Sequence, residues 1–319
     1  MFDLKSVREK VYFTINPRAR CNNPSLAKLY HPAEIQLRIK CFPNNSIQRN
    51  MNLKTSSIES LKQIAIDAGK VVREGYFANK HITHKGTVDL VTQYDVATEQ
   101  FILPRLAQLF PEHTLVGEES HQGNYDNVFE QAIYIDPIDG TTNFIHGVPH
   151  VAVSIGVYER GIGVMGVVYN PILDELFWAV AGAGAYLTHN GTTTRLQVST
   201  QNELQQSLIA TGFPYSKVNQ GEDFEWVLAS MRQILPNCRD IRRLGSAALD
   251  LCYVARGTFD GYYEIALKPW DYAAGALIAQ EAGAFISDVH GKSIEFSNNS
   301  VIAANSQVHA QILRTLRPA

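Results

Sequence analysis

Acidic side chains close or open an apolar run at four places in this 319-residue chain. Glu118 and Glu119 follow TLVG. Asp136 and Asp139 follow AIYI in the stretch AIYIDPIDGTTNF, Ala132 to Phe144. Asp95 ends VDLVTQYD, and Asp271 opens the pattern YAAGALIAQ. A carboxylate at the end of a buried strand leaves the core and points into a cleft. Carboxylates gathered there repel and raise one another's pKa unless a cation neutralises them. Oxygen-rich sets of this type suit hard ions such as Mg²⁺, which take one or two carboxylates each and keep several waters. Each piece also has a plainer use. Asp-Pro and Asp-Gly form turns, GEES reads as a solvated acidic turn, and Asp95 and Asp271 read as helix caps. Four such turns in one chain, each fed by an apolar element, argue for a shared site.

The residues after Asp139 indicate what the ions act on. Gly140 permits close backbone approach, and Thr141-Thr142-Asn143 can begin a helical turn. Backbone N–H groups at such a turn bind phosphate, aided by the helix dipole. Metal ions beside an anion cradle imply phosphoryl chemistry, in which two ions about 4 Å apart generate the nucleophile and steady the leaving oxygen. A hydroxyl such as Thr141, in contact with a carboxylate, can orient a water and relay its proton.

Elements must deliver these side chains. From Ser56, apolar residues at three- and four-residue steps (Ile58, Leu61, Ala65, Ala68, Val72) predict a helix ended by Gly75. TVDLVTQYD reads as a short extended piece, followed by a helix near Val96–Phe110 that contains Pro104. TLVG and AIYID are strands. HVAVSIGVY through AGAYL reads as three or four strands with Gly-centred turns. ELQQSL looks helix-like and SLIATGF is a strand. FEWVLASMRQIL and SAALDLCYVARG are helices, FDGYYEI a strand, and WDYAAGALIAQEAG a helix closed by Gly283. AFISDV, IEF and VIAAN read as strands and HAQILRTL as a final helix. Blocks of helices and strands, rather than strict alternation, favour a layered α+β fold over a doubly wound sheet.

The composition, 45% hydrophobic and 18% charged, is that of an ordinary globular protein. No apolar run approaches the ~20 residues a bilayer requires. Cys21, Cys41, Cys238 and Cys252 form neither a CxxC pair nor a zinc spacing, so a reduced, intracellular setting is expected. The net charge of −3 hides an asymmetry: residues 1–50 carry nine Lys/Arg and three Asp/Glu, the rest nineteen and twenty-eight. Residues 1–50 are expected to be a basic extension, disordered or outside the native core. An organelle-targeting leader is the alternative, poorly supported because of its acids and scattered prolines. The acidic body, 51–319, argues against a nucleic-acid ligand and suits a site that holds cations.

Taken in order, VDLVTQYD (88–95), GEES (117–120), DPIDGTTNF (136–144) and WDYAAG (270–275) resemble the inositol monophosphatase family of Mg²⁺-dependent, lithium-sensitive phosphatases. The likeness runs from about Leu53 to Leu316. DPIDGT with a downstream WD is shared with fructose-bisphosphatases and nucleotide phosphatases, whereas DGTTNF with GEES points to the inositol monophosphatase branch. The resemblance implies a layered αβαβα sandwich, with a metal-binding half at about 51–195 and a second half at about 196–319, and a homodimer; the cytoplasm is the setting expected from the cysteine usage. It implies that Glu118, Asp136, Asp139 and Asp271, with the Ile138 carbonyl, bind two or three Mg²⁺ ions. Thr141 and Asp95 correspond to the pair that activates water, and the Gly140 and Thr141 amides to the phosphate cradle. Glu264 and Ala247 correspond to substrate-side contacts.

Other patterns are weaker. GIGVMG, Gly161 to Gly166, satisfies GxGxxG, but a strand with a proline follows, so a hairpin is expected instead of a dinucleotide loop. The histidines show no metal spacing, and His146 and His150 read as loop residues. Arg242-Arg243 reads as a solvated pair, a subunit contact or part of a substrate rim. The expected activity is hydrolysis of myo-inositol 1-phosphate or a similar polyol phosphate. Alternatives are a sugar bisphosphatase, a histidinol-phosphate or sugar-1-phosphate phosphatase, and a catalytically idle protein that binds a phosphorylated ligand.

Overall fold

Residues 44–84, 90–121, 131–294, 296 and 300–316 are described by the computed structural model. The chain divides into two units at Ile47 and Gln48. Of the first, only the opening residues of a helix are described, so the expected extension lies almost wholly outside the described residues, with Cys21, Cys41, Val88 and Asp89.

Helix α1 spans Asn44–Phe77. It runs past Gly75, where expectation ended it. A Cβ at Gly75 would enter the ring of Tyr94, so glycine serves packing here rather than termination. Strands β1 (Ile82–His84) and β2 (Leu90–Thr92) pair antiparallel. Helix α2 (Gln93–Leu109) begins at Thr92, and Asp95 at its third position closes a capping box. The helix continues through Pro104. Gln100, whose carbonyl loses an N–H partner there, is exposed, so water can replace the missing bond.

Next come β3 (Thr114–Gly117), β4 (Gln131–Asp139), the short α3 (Thr141–His146) and five strands: β5 (Ala152–Glu159), β6 (Ile162–Asn170), β7 (Glu175–Val180), β8 (Gly184–His189) and β9 (Thr192–Arg195). Strands β3 to β9 make one seven-stranded sheet in sequence order. The β3–β4 pair is parallel and the others are antiparallel. Arg160 and Gly161, both at positive φ, form the two-residue turn between β5 and β6, so GIGVMG belongs to a hairpin as expected.

The remaining elements are β10 (Leu208–Thr211), α4 (Glu222–Ile234), β11 (Asp240–Arg242), α5 (Ala247–Ala255), β12 (Gly261–Ile265), α6 (Pro269–Glu281), β13 (Phe285–Ser287), β14 (Ser300–Ala304) and α7 (Ser306–Leu316). Their strands form a second sheet in the order β11-β10-β12-β14-β13. ELQQSL yields only a single 3-10 turn, Leu204–Gln206. IEF does not form a strand: Ile294 and Phe296 lie in irregular chain, and Glu295 is outside the described residues. The Phe296 ring instead sits 4.3 Å from that of Tyr134.

Three buried clusters define five layers. Ile58, Leu61 and Val72 of α1, with Ile102 and Leu106 of α2, pack on Ile133, Ile155 and Val167 of the first sheet. The other face of that sheet (Ala152, Val168, Phe177) meets α5 and α6, which also cover Ala210, Tyr262 and Ala303 of the second sheet. Tyr263 and Ile302, their side chains on the opposite face, pack against Ile234 of α4 and Val308 and Ile312 of α7. The order is helices, seven strands, helices, five strands, helices: the expected α+β sandwich. The central helices sit close to the first sheet. Gly156 and Gly166 are cross-strand partners, and a Cβ at either would stand 2.9 Å from α6 backbone. Among the described residues, no helix is long and apolar enough to cross a membrane.

Candidate active site

The β3–β4 register decides where the first acids meet. Gly117 lies opposite Ile135, and the Glu118 amide donates to the Ile135 carbonyl at 3.1 Å, so Glu118 leaves β3 beside Asp136 on β4. Within β4 the two aspartates are three apart, a spacing that puts side chains on opposite faces of a regular strand. A bulge resolves this. Asp136 pairs with Ser154 but Asp139 with Ala152, so three steps on β4 match two on β5. The extra residue re-aims the second carboxylate. Asp136 is thereby buried within the electrostatic reach of Glu118, Asp139 and Asp271.

Asp271 arrives from the opposite direction, in the first turn of α6. Its Oδ2 accepts the Lys268 amide at 2.6 Å. Asp139 Oδ2 accepts the Ser246 hydroxyl at 2.6 Å and the Ala248 amide at 2.8 Å, both at the start of α5. Two helices that separate the sheets thus aim their N-terminal turns at the end of β4. That orientation suits negative charge.

The electrostatics carry the mark of crowding. Loss of water, then repulsion from Glu118, Asp139 and Asp271, raises Asp136 well above the carboxylate range. Asp271 is raised likewise, chiefly by desolvation, with Glu118, Asp139 and Glu264 adding to it. Asp139 is raised to about 6 by burial, against the pull of Ser246 and Ala248. Among the described residues, no group of three or more His, Cys, Asp or Glu side chains stands close enough together to hold a metal ion as placed. The donor set is nonetheless suited to a hard cation. It consists of carboxylates crowded at one point, of which Asp136, Asp139 and Asp271 are held above their ordinary pKa and would be relieved by positive charge.

Thr141, the first residue of α3, is buried against this group. Its hydroxyl lies 3.2 Å from Asp95 Oδ1 and 3.1 Å from the Ile138 carbonyl. Asp95 Oδ2 is held by the Thr92 amide (2.8 Å) and hydroxyl (2.6 Å). Burial raises the pKa of Asp95 in spite of these bonds. Gly140 enters α3 with φ +91°, and a Cβ there would stand 2.9 Å from the His150 carbonyl. On the far side, Ala247 is buried at the head of α5, and Glu264 on β12 accepts the Tyr262 hydroxyl at 2.6 Å. Burial pushes Glu264 up to about 8.

Several supporting residues were not anticipated. Glu99, one helical turn after Asp95, accepts the Glu119 amide at 2.9 Å and lies against Gly117, fixing the GEES turn. Its i, i+4 spacing from Asp95 was the available signal. Asn143 donates to the carbonyls of His150 (2.8 Å) and Leu244 (2.8 Å), tying α3 to the segment before α5. His150 does lie in a loop, but it is buried, and its Nε2 stands 3.0 Å from Asp250 of α5. His146 is exposed. Arg242 and Arg243 are not alike: the first pairs with Asp240 at 2.6 Å, and the second lies 5.1 Å above the Phe213 ring. Cys238 and Cys252 are free thiols.

The sequence model of the inositol monophosphatase family matches residues 54–319. "Inositol monophosphatase 3" of Solanum lycopersicum is 40% identical over 270 residues, which cover 82% of this chain and 98% of that protein. "Nus factor SuhB" of Haemophilus influenzae is 42% identical over 253 residues, 79% of this chain and 92% of that one. Among solved structures, the "extragenic suppressor protein suhB" of Bartonella henselae superposes with a TM-score of 0.75 at 36% identity, covering 83% of this chain and 99% of that one. An inositol monophosphatase from Anabaena gives 0.71 at 34% identity, covering 83% and 96%. The sequence match, the superpositions and the five-layer architecture agree: the chain belongs to the inositol monophosphatase family.

Proposed function

We propose that the chain is a Mg²⁺-dependent phosphomonoesterase that hydrolyses myo-inositol 1-phosphate or a similar polyol monophosphate. The observation that carries this reading is the buried Thr141–Asp95 pair set beside four mutually repelling carboxylates. Glu118, Asp136, the Ile138 carbonyl, Asp139 and Asp271 would hold two or three Mg²⁺ ions. Bound there, the ions supply Lewis acidity toward the ester and a lowered water pKa. The chain's own groups do the rest. The Gly140 and Thr141 amides cradle the phosphoryl oxygens at the start of α3. Thr141 Oγ1 accepts a hydrogen bond from the attacking water, while its own proton points to Asp95 Oδ1. Asp95, with its pKa raised and its second oxygen held by Thr92, is the sink for that proton. Glu264 and the Ala247 region face the hydroxyls of the leaving alcohol. Lithium sensitivity and a homodimer belong to the same proposal, as implied by family membership, and a cytoplasmic setting is proposed from the cysteine usage.

Phosphate release from a panel of phosphate esters with Mg²⁺ tests the reading. Turnover of myo-inositol 1-phosphate, inhibited by Li⁺ at millimolar order, is the expected result. Relatives named "Nus factor SuhB" favour a second reading, in which the fold also acts as a binding component. Saturable binding of the ester with Mg²⁺, but no phosphate release, would support that reading and contradict the first.

A thermal test follows from the pKa shifts. Without divalent ions, the folded chain holds a proton on Asp139 up to about 6, against 3.8 for an ordinary aspartate. Folding therefore favours the protonated acid. Its stabilisation is full below the ordinary range and is lost as pH rises through about 6. Asp136 and Asp271 shift in the same direction. Mg²⁺ offsets the loss, so saturating Mg²⁺ is expected to raise Tm more at about pH 7.5 than at about pH 5. Equal increments at both would show that these acids are not what the ion meets.

A further inference from the structure

Asp139 meets α5 with one oxygen only. Its Oδ2 accepts both the Ser246 hydroxyl (2.6 Å) and the Ala248 amide (2.8 Å), and its Oδ1 takes no hydrogen bond among the described residues. The head of α5 therefore decides which oxygen of Asp139 is left for an ion and how it is aimed. Hydrogen bonds of this kind orient a metal ligand, and their loss weakens metal binding by roughly 10- to 100-fold.

Two side chains from the first half of the chain grip the head of α5. Before the helix, Asn143 Nδ2 of α3 donates to the carbonyls of Leu244 (2.8 Å) and Gly245 (3.3 Å). One turn into the helix, Asp250 Oδ1 stands 3.0 Å from His150 Nε2. The two grips are joined, since Asn143 also donates to the His150 carbonyl at 2.8 Å. That carbonyl abuts Gly140, where a Cβ would stand 2.9 Å away. Asp139, Gly140, Asn143, His150, Asp250 and Ser246 thus close a ring of contacts between the end of β4 and α5.

Packing alone does not set this register. All of α5 is buried, but it offers Ala248 and Leu251 to Gly275 of α6, and apolar contact of this kind is non-directional. The His150–Asp250 hydrogen bond is directional. Stability is a poor reason for the pair. Both residues are buried, and Asp250 Oδ2 has no hydrogen-bond partner. A buried carboxylate with an unused oxygen is costly, and two well-packed apolar side chains of similar volume often hold a fold as well or better.

We propose that His150 and Asp250 are positioning residues for metal binding: their hydrogen bond sets the head of α5 against Asp139 and so sets the affinity of the site for Mg²⁺. This rests on the ligand set named in the phosphomonoesterase reading and adds two residues outside it.

Calorimetric titration of the full chain with Mg²⁺ alone, beside thermal melting without divalent ions, tests the proposal. The double variant His150→Phe/Asp250→Leu removes the hydrogen bond and leaves neither partner unpaired. It is expected to melt close to the parent chain but to bind Mg²⁺ with a Kd about tenfold higher or more. Asp250→Asn keeps an acceptor for the imidazole N–H and is expected to hold nearly the parental Kd. A pair that served only the fold would show the reverse, a lower Tm with an unchanged Kd. Should the double variant not fold, His150→Leu and His150→Gln give the same comparison, because the glutamine amide can donate to Asp250 and leucine cannot. Equal Kd values in the parent and the double variant, or in the Leu and Gln variants, would overturn the proposal. So would an Asp250→Asn as weak as the double variant, which would assign the effect to charge rather than position. A parent chain that binds no Mg²⁺ would overturn it together with the ligand set. Mg²⁺ binding that depends on the pair, with no phosphate released from any ester, would establish the pair and reject the phosphatase reading alone.

Discussion

Asp139→Asn is expected to reduce phosphate release about a thousandfold or more, roughly 4 kcal/mol of transition-state stabilisation, in a chain that still folds. The reasoning separates the two jobs of this side chain. Structurally, Asp139 is an acceptor for the Ser246 hydroxyl and the Ala248 amide. An asparagine carbonyl oxygen has two lone pairs and can accept both. The charge itself opposes folding in the absence of a cation, since burial raises the pKa of the group to about 6. The amide removes that cost. The variant should therefore melt no lower than the parent chain when divalent ions are withheld. What asparagine cannot do is contribute a negative ligand or compensate a divalent ion. Added Mg²⁺ should then raise the Tm of the parent and much less that of the variant. Melting curves with and without Mg²⁺, beside a phosphate-release assay, read both effects. A variant that turns over at the parental rate would remove Asp139 from the ligand set.

Thr141→Ala is expected to lower kcat by about 10²–10⁴, the range for losing a positioned proton-transfer group. The hydroxyl is buried between Asp95 Oδ1 and the Ile138 carbonyl, so no other side chain in the turn can replace it. Thr141→Ser keeps the oxygen and should restore most of the rate, which distinguishes chemistry from packing. Asp95→Asn should also lower kcat, but it additionally weakens the capping box at the start of α2, at a cost of about 1 kcal/mol. If the two groups form one relay, the double variant should be little slower than the worse single one. Multiplicative losses would show that Thr141 and Asp95 act independently.

The fold was legible where period and punctuation agreed. The buried stripe Ile58, Leu61, Ala65, Ala68, Val72 marked α1, and the Gly-spaced apolar runs after His150 marked the meander of the first sheet. Local signals misled where tertiary packing used them otherwise. Gly75 looked like a helix stop but makes room for Tyr94, and Pro104 sits on a solvent face that tolerates it. IEF has a strand's composition, yet Phe296 is drawn into an aromatic cluster with Tyr134 and Tyr158. Within the site, acids at element ends were visible as types, and their order along the chain carried the family resemblance. Their convergence was not visible, because it depends on the β3–β4 register, the bulge at Asp136–Asp139 and two helices entering from the second half. The supporting shell was the least legible part. Ser246, Asn143 and the His150–Asp250 pair act across about a hundred residues of sequence, and nothing local announces such partners.

The account depends on acids from distant segments sharing cations, and a crystal of the chain soaked in Mn²⁺ tests this directly. Anomalous-difference maps are expected to show two or three peaks bounded by Glu118, Asp136, the Ile138 carbonyl, Asp139 and Asp271. Peaks elsewhere on the molecule, or none within reach of these side chains at saturating Mn²⁺, would contradict it.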